Sequence, residues 1–125
     1  IPGFCFTAQI SSSAQYTPKN MDYFEFSSNI DDVITTSDII ITHAGAGSVY
    51  SMLEKNKRLI VVPNLSRIDH HQMELTQFVE RNNFAAACSE IHELSDILNS
   101  LNKREFKPYK KEEFFGLNMI KELLL

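Results

Sequence analysis

Apolar positions along this chain follow two rhythms. Short β-prone runs, either alternating or continuously apolar, occur at "FCFTAQI" (4–10), "DYFEF" (22–26), "DIIIT" (38–42), "RLIVVP" (58–63) and "FAAAC" (84–88), and each predicts a strand. Between them lie stretches with helical spacing. "NIDDVITTS" (29–37) reads as a short helix capped by Asn29, with Asp31 and Asp32 in the first turn, where the helix dipole favours them. "SVYSMLEKN" (48–56) follows the "DIIIT" strand as a second helix. "DHHQMELTQFVERNN" (69–83) is a longer one, with Met73, Leu75, Phe78 and Val79 as its expected inner face. "SEIHELSDILNSLN" (89–102) opens on Ser89 and Glu90, an imperfect capping box. A last amphipathic helix is expected over about 111–125, with Phe115, Ile120, Leu123 and Leu124 near one face.

Strands that alternate with helices predict an α/β fold, an open parallel sheet with crossover helices. The run "DIIIT" has the composition of a strand buried on both faces, as parallel sheets require. In such sheets ligands sit beyond the carboxyl ends of the strands. "THAGAGS" (42–48) and "PNLSRIDHHQ" (63–72) each follow a buried strand and so fall on one sheet edge.

Composition narrows the partners more than the fold. The 125 residues, 43% apolar and 22% charged, suit a single domain over 1–125 that buries its own core. A net charge of −4 argues against binding nucleic acid through phosphate neutralisation. Cys5 and Cys88 lie in apolar strand-like stretches without CxxC spacing, and both are expected to be buried free thiols. No stretch approaches the ~20 apolar residues of a membrane-spanning helix. The first residue is Ile1 and the chain runs at once into a strand, so an N-terminal unit is expected to be missing in front of it.

The candidate chemistry lies in two loops. Gly45 and Gly47, two of only four glycines, stand at a strand-to-helix junction. Unpaired amides and a positive dipole at a helix start suit a diphosphate, and glycines let it approach bare backbone. Ser48 adds a hydroxyl donor. Glycines required for tight packing are the competing explanation. The stretch is neither GxGxxG, since Tyr50 takes the third glycine's place, nor a Walker loop. In the second loop, "DHHQ" puts a carboxylate, two imidazoles and an amide at a helix start. Asp69 suits an N-cap there. His70 and Glu74 are four apart, yet no third ligand stands at metal spacing and no HExxH occurs. Hydrogen bonding to sugar hydroxyls suits these side chains better than a metal does. His92 falls in a polar stretch and reads as surface.

Taken in order, "DIIITHAGAGSVYSMLEKNKRLIVVPNLSRIDHHQMELTQFVERNN" resembles the sugar-nucleotide-binding half of GT-B glycosyltransferases, in particular the MurG-like C-terminal domain family. In that family a HxGxGS loop precedes a strand ending in Val-Pro and then D-x-x-Q. Within it the chain is most similar to small PssE-like subunits of bacterial exopolysaccharide synthesis, relatives of the catalytic subunit of the dolichol-pathway N-acetylglucosaminyltransferase. The resemblance implies a Rossmann-like half of a GT-B fold, lacking the opening strand and Gly-containing loop of the small family. It implies a UDP-sugar-binding subunit of an inverting glycosyltransferase that passes a hexose or N-acetylhexosamine to a lipid-linked acceptor. The nucleotide-sugar site implied comprises Gly45, Ala46, Gly47, Ser48, Ser51, Asn64, Asp69, His71 and Gln72, with His43 the candidate general base. His43 ordering the loop through a backbone hydrogen bond, or a base supplied by the partner, are the alternatives. Ser51 stands where MurG-like enzymes carry a glutamate for the ribose, and His71 where they carry the first of two glutamines.

The remaining implications concern the assembly. No cofactor is expected, and the absence of Asp-x-Asp fits metal-independent transfer. A half-sized module cannot form a two-domain cleft, so a PssD-like membrane-anchored partner would hold the acceptor. The pair would work at the cytoplasmic face of the cell membrane. Two rival functions are a non-catalytic enhancer of a partner glycosyltransferase, which Ser51 favours, and a sugar-nucleotide epimerase on the same scaffold.

Overall fold

A computed structural model describes residues 3–10, 16–25, 30–43, 45–63 and 70–110. The chain divides into two compact units, Ile1–Ser37 and Asp38–Leu125. The expected final helix over 111–125 and the Asn29 cap lie outside the described residues, as do Asn64 and Asp69.

In the first unit, β1 (Thr7–Gln9) and β2 (Asp22–Phe24) form a parallel pair in which Thr7 faces Asp22 and Gln9 faces Phe24. Both strands are shorter than their sequence runs. The preceding Phe4 and Phe6 set their rings 6.3 Å apart instead of joining the ladder. Cys5 is exposed here, contrary to the burial expected from its apolar surroundings. Its neighbours Phe4 and Phe6 are half-buried, so an alternating chain turns Cys5 outward. Helix α1 (Ile30–Thr36) carries Asp31 and Asp32 in its first turn, as expected. Its last residues turn their hydroxyls back onto the preceding turn, Thr35 donating to the Asp31 carbonyl at 2.7 Å and Ser37 to that of Val33 at 2.6 Å.

The second unit is a β-α-β-α-β run. Strands β3 (Ile39–His43), β4 (Arg58–Val62) and β5 (Ala86–Ala87) lie in that spatial order, all parallel, with Ile39 opposite Arg58 and His43 opposite Val62. Helix α2 (Ala46–Glu54) joins the first two strands and α3 (His70–Arg81) the second and third. The α/β class and the parallel sheet with crossover helices stand as the alternation predicts. The core collects Val49 and Leu53 of α2, Leu59 and Val61 of β4, Leu75 and Val79 of α3, and Ala85. Each of these is under a tenth exposed, which makes the face between the helices and the central strand the chief source of hydrophobic stability.

Three expectations need correction. Strand β3 is not buried on both faces, since Ile41 is 38% exposed while its register partner Ile60 is fully buried. The inner face of α3 consists of Leu75, Thr76 and Val79, whereas Met73 and Phe78 are each 40% exposed. Thr76 tolerates burial because its hydroxyl donates to the Gln72 carbonyl at 2.7 Å, so no polar group is left unpaired. Finally, Ser89 caps nothing. A single 3₁₀ turn (Ile91–Glu93) leads into α4 (Leu94–Leu101), which has no side-chain cap and buries Leu98 and Leu101. His92 is exposed, as its polar surroundings suggest.

Helices α2 and α3 end alike. Asn56 and Asn83 take left-handed backbone, φ 57° and 58°. After α2, the Lys57 amide donates to Met52 and that of Asn56 to Leu53. After α3, the Phe84 amide donates to Val79 and that of Asn83 to Glu80. This double bond is the Schellman closure, and asparagine is the next residue after glycine to accept its conformation. It returns each chain sharply toward the next strand, which keeps β3, β4 and β5 parallel and their carboxyl ends on one edge.

Candidate functional site

In chain order α2 follows β3 and α3 follows β4, two neighbouring parallel strands. Gly45–Ser48 and His70–Gln72 therefore fall on the same edge of one sheet, as the sequence predicts. The first loop is shorter than expected, because α2 begins at Ala46 and not at Ser48. Ala46, Gly47 and Ser48 form its first turn, where backbone amides lack helical partners. Gly45 is the N-cap, with extended backbone at φ −83° and ψ 123°, and no side chain caps the helix. The first helical bond runs from the Val49 amide to the Gly45 carbonyl at 3.0 Å.

This geometry bears on the packing explanation of the glycines. A Cβ built on Gly45 or Gly47 meets no atom within 4 Å. Neither residue has positive φ, since among described glycines only Gly3 does. Neither packing nor backbone conformation therefore requires glycine at these positions. What their missing side chains provide is open surface over the first turn of α2.

His43 ends β3 and is exposed. Its backbone carbonyl accepts from the Gly45 amide at 2.8 Å. Its ring Nδ1 lies 3.2 Å from the Val62 carbonyl oxygen, at the end of β4. A carbonyl only accepts, so this contact is a hydrogen bond when Nδ1 carries a proton. Loop ordering through a backbone hydrogen bond, an alternative for this residue on sequence, is thus present. It leaves the other nitrogen accessible for chemistry. The Val62 carbonyl was invisible to sequence reasoning, because every residue carries such a group and only the strand register brings this one to the histidine.

Ser48 and Ser51 are both exposed on α2, three residues apart and so on neighbouring positions of one helix face. His71 is exposed and Gln72 half-buried in the first turn of α3. Tyr50, at the third-glycine position of a dinucleotide fingerprint, is half-buried and has a packing role. Its ring lies 6.5 Å from Phe78 and 5.6 Å from Tyr109, and Phe84 completes the group at 5.8 Å from Phe78 and 5.4 Å from Tyr109. These rings brace α2 against α3 and the segment after α4. Among the described residues no three His, Cys, Asp or Glu side chains converge as a metal site needs, and no helix is long and apolar enough to cross a membrane.

Comparison with known proteins adds four findings. A family model described as the glycosyltransferase family 28 C-terminal domain matches residues 6–123. The UDP-N-acetylglucosamine transferase subunit ALG13 of Candida albicans is 42% identical over 77 residues, which is 62% of this chain and 26% of that protein. That of Candida glabrata is 34% identical over 91 residues, 71% of this chain and 46% of that protein. Among solved structures, an NMR solution structure of ALG13 matches 78% of this chain and 50% of its own, with 30% identity and a TM-score of 0.52. The chain thus spans half or less of the length of these relatives.

Proposed function

The chain belongs to the glycosyltransferase family 28 C-terminal domain family, and from that membership we propose that it is the UDP-sugar-binding subunit of an inverting glycosyltransferase. The donor is UDP-N-acetylglucosamine, the N-acetylhexosamine choice being supported by the activity for which the relatives above are named. The acceptor is a lipid-linked saccharide, held by a membrane-anchored partner subunit at the cytoplasmic face. None of the relatives described above is named for exopolysaccharide synthesis, and the acceptor is specified no further.

One observation carries the reading. Gly45 and Gly47 have open space where a side chain would stand, at an uncapped helix start beside an exposed histidine. Such a surface fits a diphosphate laid across the amides of Ala46, Gly47 and Ser48. As the bond to the sugar breaks, negative charge collects on the departing UDP. Fixed amide dipoles stabilise it there without reorganising. Ser48 and Ser51 lie within the same helix face for further hydrogen bonds. The hexose extends toward the start of α3, where His71 and Gln72 offer donors and acceptors. His43 takes the proton from the acceptor hydroxyl, a role worth about 10²–10⁴-fold in rate when a base is well placed.

Calorimetric titration of UDP into the full chain tests the proposal. Wild-type protein should bind, and Gly47→Val should bind at least tenfold more weakly while its far-ultraviolet circular dichroism stays unchanged. A chain that binds neither UDP nor UDP-N-acetylglucosamine, alone or with its partner, would instead be the non-catalytic enhancer. Ser51 in place of the family's glutamate is what keeps that second reading in view.

A further inference from the structure

We infer that the edge of the second unit where its parallel strands begin is a cationic face that rests on an anionic lipid surface. The charges of this unit are sorted along the strand direction. Every described lysine and arginine of Asp38–Leu125 stands where a helix ends and the chain returns to a strand, or in the segment that follows α4. Lys55, Lys57 and Arg58 form the turn from α2 into β4, and Arg81 ends α3. Lys103, Arg104, Lys107 and Lys110 follow α4. Among the described residues, the glycine loop, the start of α3 and the turn after β5 carry no lysine or arginine. Asp38, Glu54, Glu80 and Glu105 share the cationic edge and are outnumbered there, while Glu74, Glu90, Glu93 and Asp96 lie elsewhere.

Hydrogen bonds gather these pieces. Arg58 donates to the Leu101 carbonyl, the last of α4, at 2.7 Å. Asn83, just past the end of α3, holds Arg104, Glu105 and Lys107 of the following segment. Lys103 and Lys107 are therefore displayed, exposed, on an ordered stretch beside the α3 terminus. Cations at helix ends also offset the helix dipole, an effect that fades within the last turn. Arg58 and Arg81 fill that role at α4 and α3, and Lys103 and Lys107 lie beyond the last turn of their own helix. An acidic protein is the other anionic partner to weigh, but protein interfaces are depleted in lysine and centre on apolar side chains. The turns that carry these cations hold no large exposed apolar residue among those described. Clustered lysines and arginines suit the negative headgroups of a bilayer, whose field falls away within a Debye length. A five-residue strand spans about 16 Å, so a bilayer at this edge leaves the glycine loop at the other one open. The inference stands apart from the nucleotide site proposed above.

Co-sedimentation of the full chain with vesicles of phosphatidylcholine, alone or mixed with phosphatidylserine, tests it. Binding is expected to the mixed vesicles only, and to be lost as salt is raised. Lys103→Gln and Lys107→Gln should each weaken it about fivefold and together about 30-fold, at about 1 kcal/mol per cation near the surface. Both side chains are exposed, so circular dichroism of the variants should match the wild type. Glu74→Gln changes the net charge by the same amount away from this edge and should leave vesicle binding unchanged. Failure to sediment with mixed vesicles overturns the inference. So does equal binding to neutral ones, binding that survives high salt, or wild-type affinity in the double variant. None of these outcomes bears on UDP binding, which is measured separately.

Discussion

Gly47 occupies a position where a glycine weakens the fold and gains nothing from it locally. It lies in the first turn of α2, without positive φ, and a Cβ there has no neighbour within 4 Å. Alanine loses less backbone freedom on folding, so Gly47→Ala should raise stability by roughly 0.5–1 kcal/mol. On the proposed function the same methyl should weaken UDP binding, because it would stand over the amides assigned to the diphosphate. Opposite signs in a thermal melt and a UDP titration are the expected outcome. A variant that melts higher and binds UDP as well as wild type would disconnect the glycine from the ligand. Gln72 tests the sugar end. Its amide supplies both a donor and an acceptor for adjacent hydroxyls, and Gln72→Ala should cost on the order of 1–3 kcal/mol of UDP-N-acetylglucosamine binding. UDP has no hexose and should be spared. Equal weakening of both ligands would mean that Gln72 supports the loop instead.

At the scale of elements, the two asparagines that close α2 and α3 share one backbone geometry and differ in what their side chains hold. Asn83 ties down the segment that follows α4. Its amide nitrogen donates to the Glu105 carbonyl at 2.6 Å, its carbonyl accepts from the Arg104 guanidinium at 3.2 Å, and its backbone oxygen accepts from the Lys107 amide at 2.8 Å. That segment carries Tyr109 to the rings of Tyr50 and Phe84. Replacing Asn56 by alanine exposes mainly the cost of left-handed backbone, about 1–2 kcal/mol. Asn83→Ala should lose that and the two side-chain bonds as well, exceeding Asn56→Ala by roughly 1–2 kcal/mol in urea unfolding. Asn83→Gly, which accepts the backbone conformation, should fall between wild type and Asn83→Ala. Identical losses at Asn56 and Asn83 would show that the Asn83 side chain contributes nothing to the tie.

For the whole molecule, the proposed reaction runs on amide dipoles and a histidine, with no Asp-x-Asp in the chain to hold a sugar-nucleotide metal. Transfer by the chain with its partner should therefore persist in EDTA. Loss of activity in chelator, restored by manganese or magnesium, would refute that. What sequence alone determined is the alternation of strand and helix, because hydrophobic periodicity is local and survives in one dimension. It determined, too, that the glycine loop and the helix starting near His70 follow parallel strands and so share an edge. The ordered motifs sufficed for the family. Tertiary structure decided what depends on groups that every residue carries or on neighbours far along the chain. Only it showed that Ile41 lies partly open and Cys5 outward, since burial is set by which layer reaches which strand. Only it showed Met73 and Phe78 partly exposed on α3 while Thr76 is buried, its hydroxyl finding a carbonyl in its own helix. Whether a side chain would find room at Gly45 and Gly47 could not be read from their letters, because that depends on neighbours which only the fold supplies. The contact between His43 Nδ1 and the Val62 carbonyl was equally hidden, for a backbone oxygen delivered by strand register has no signature in sequence.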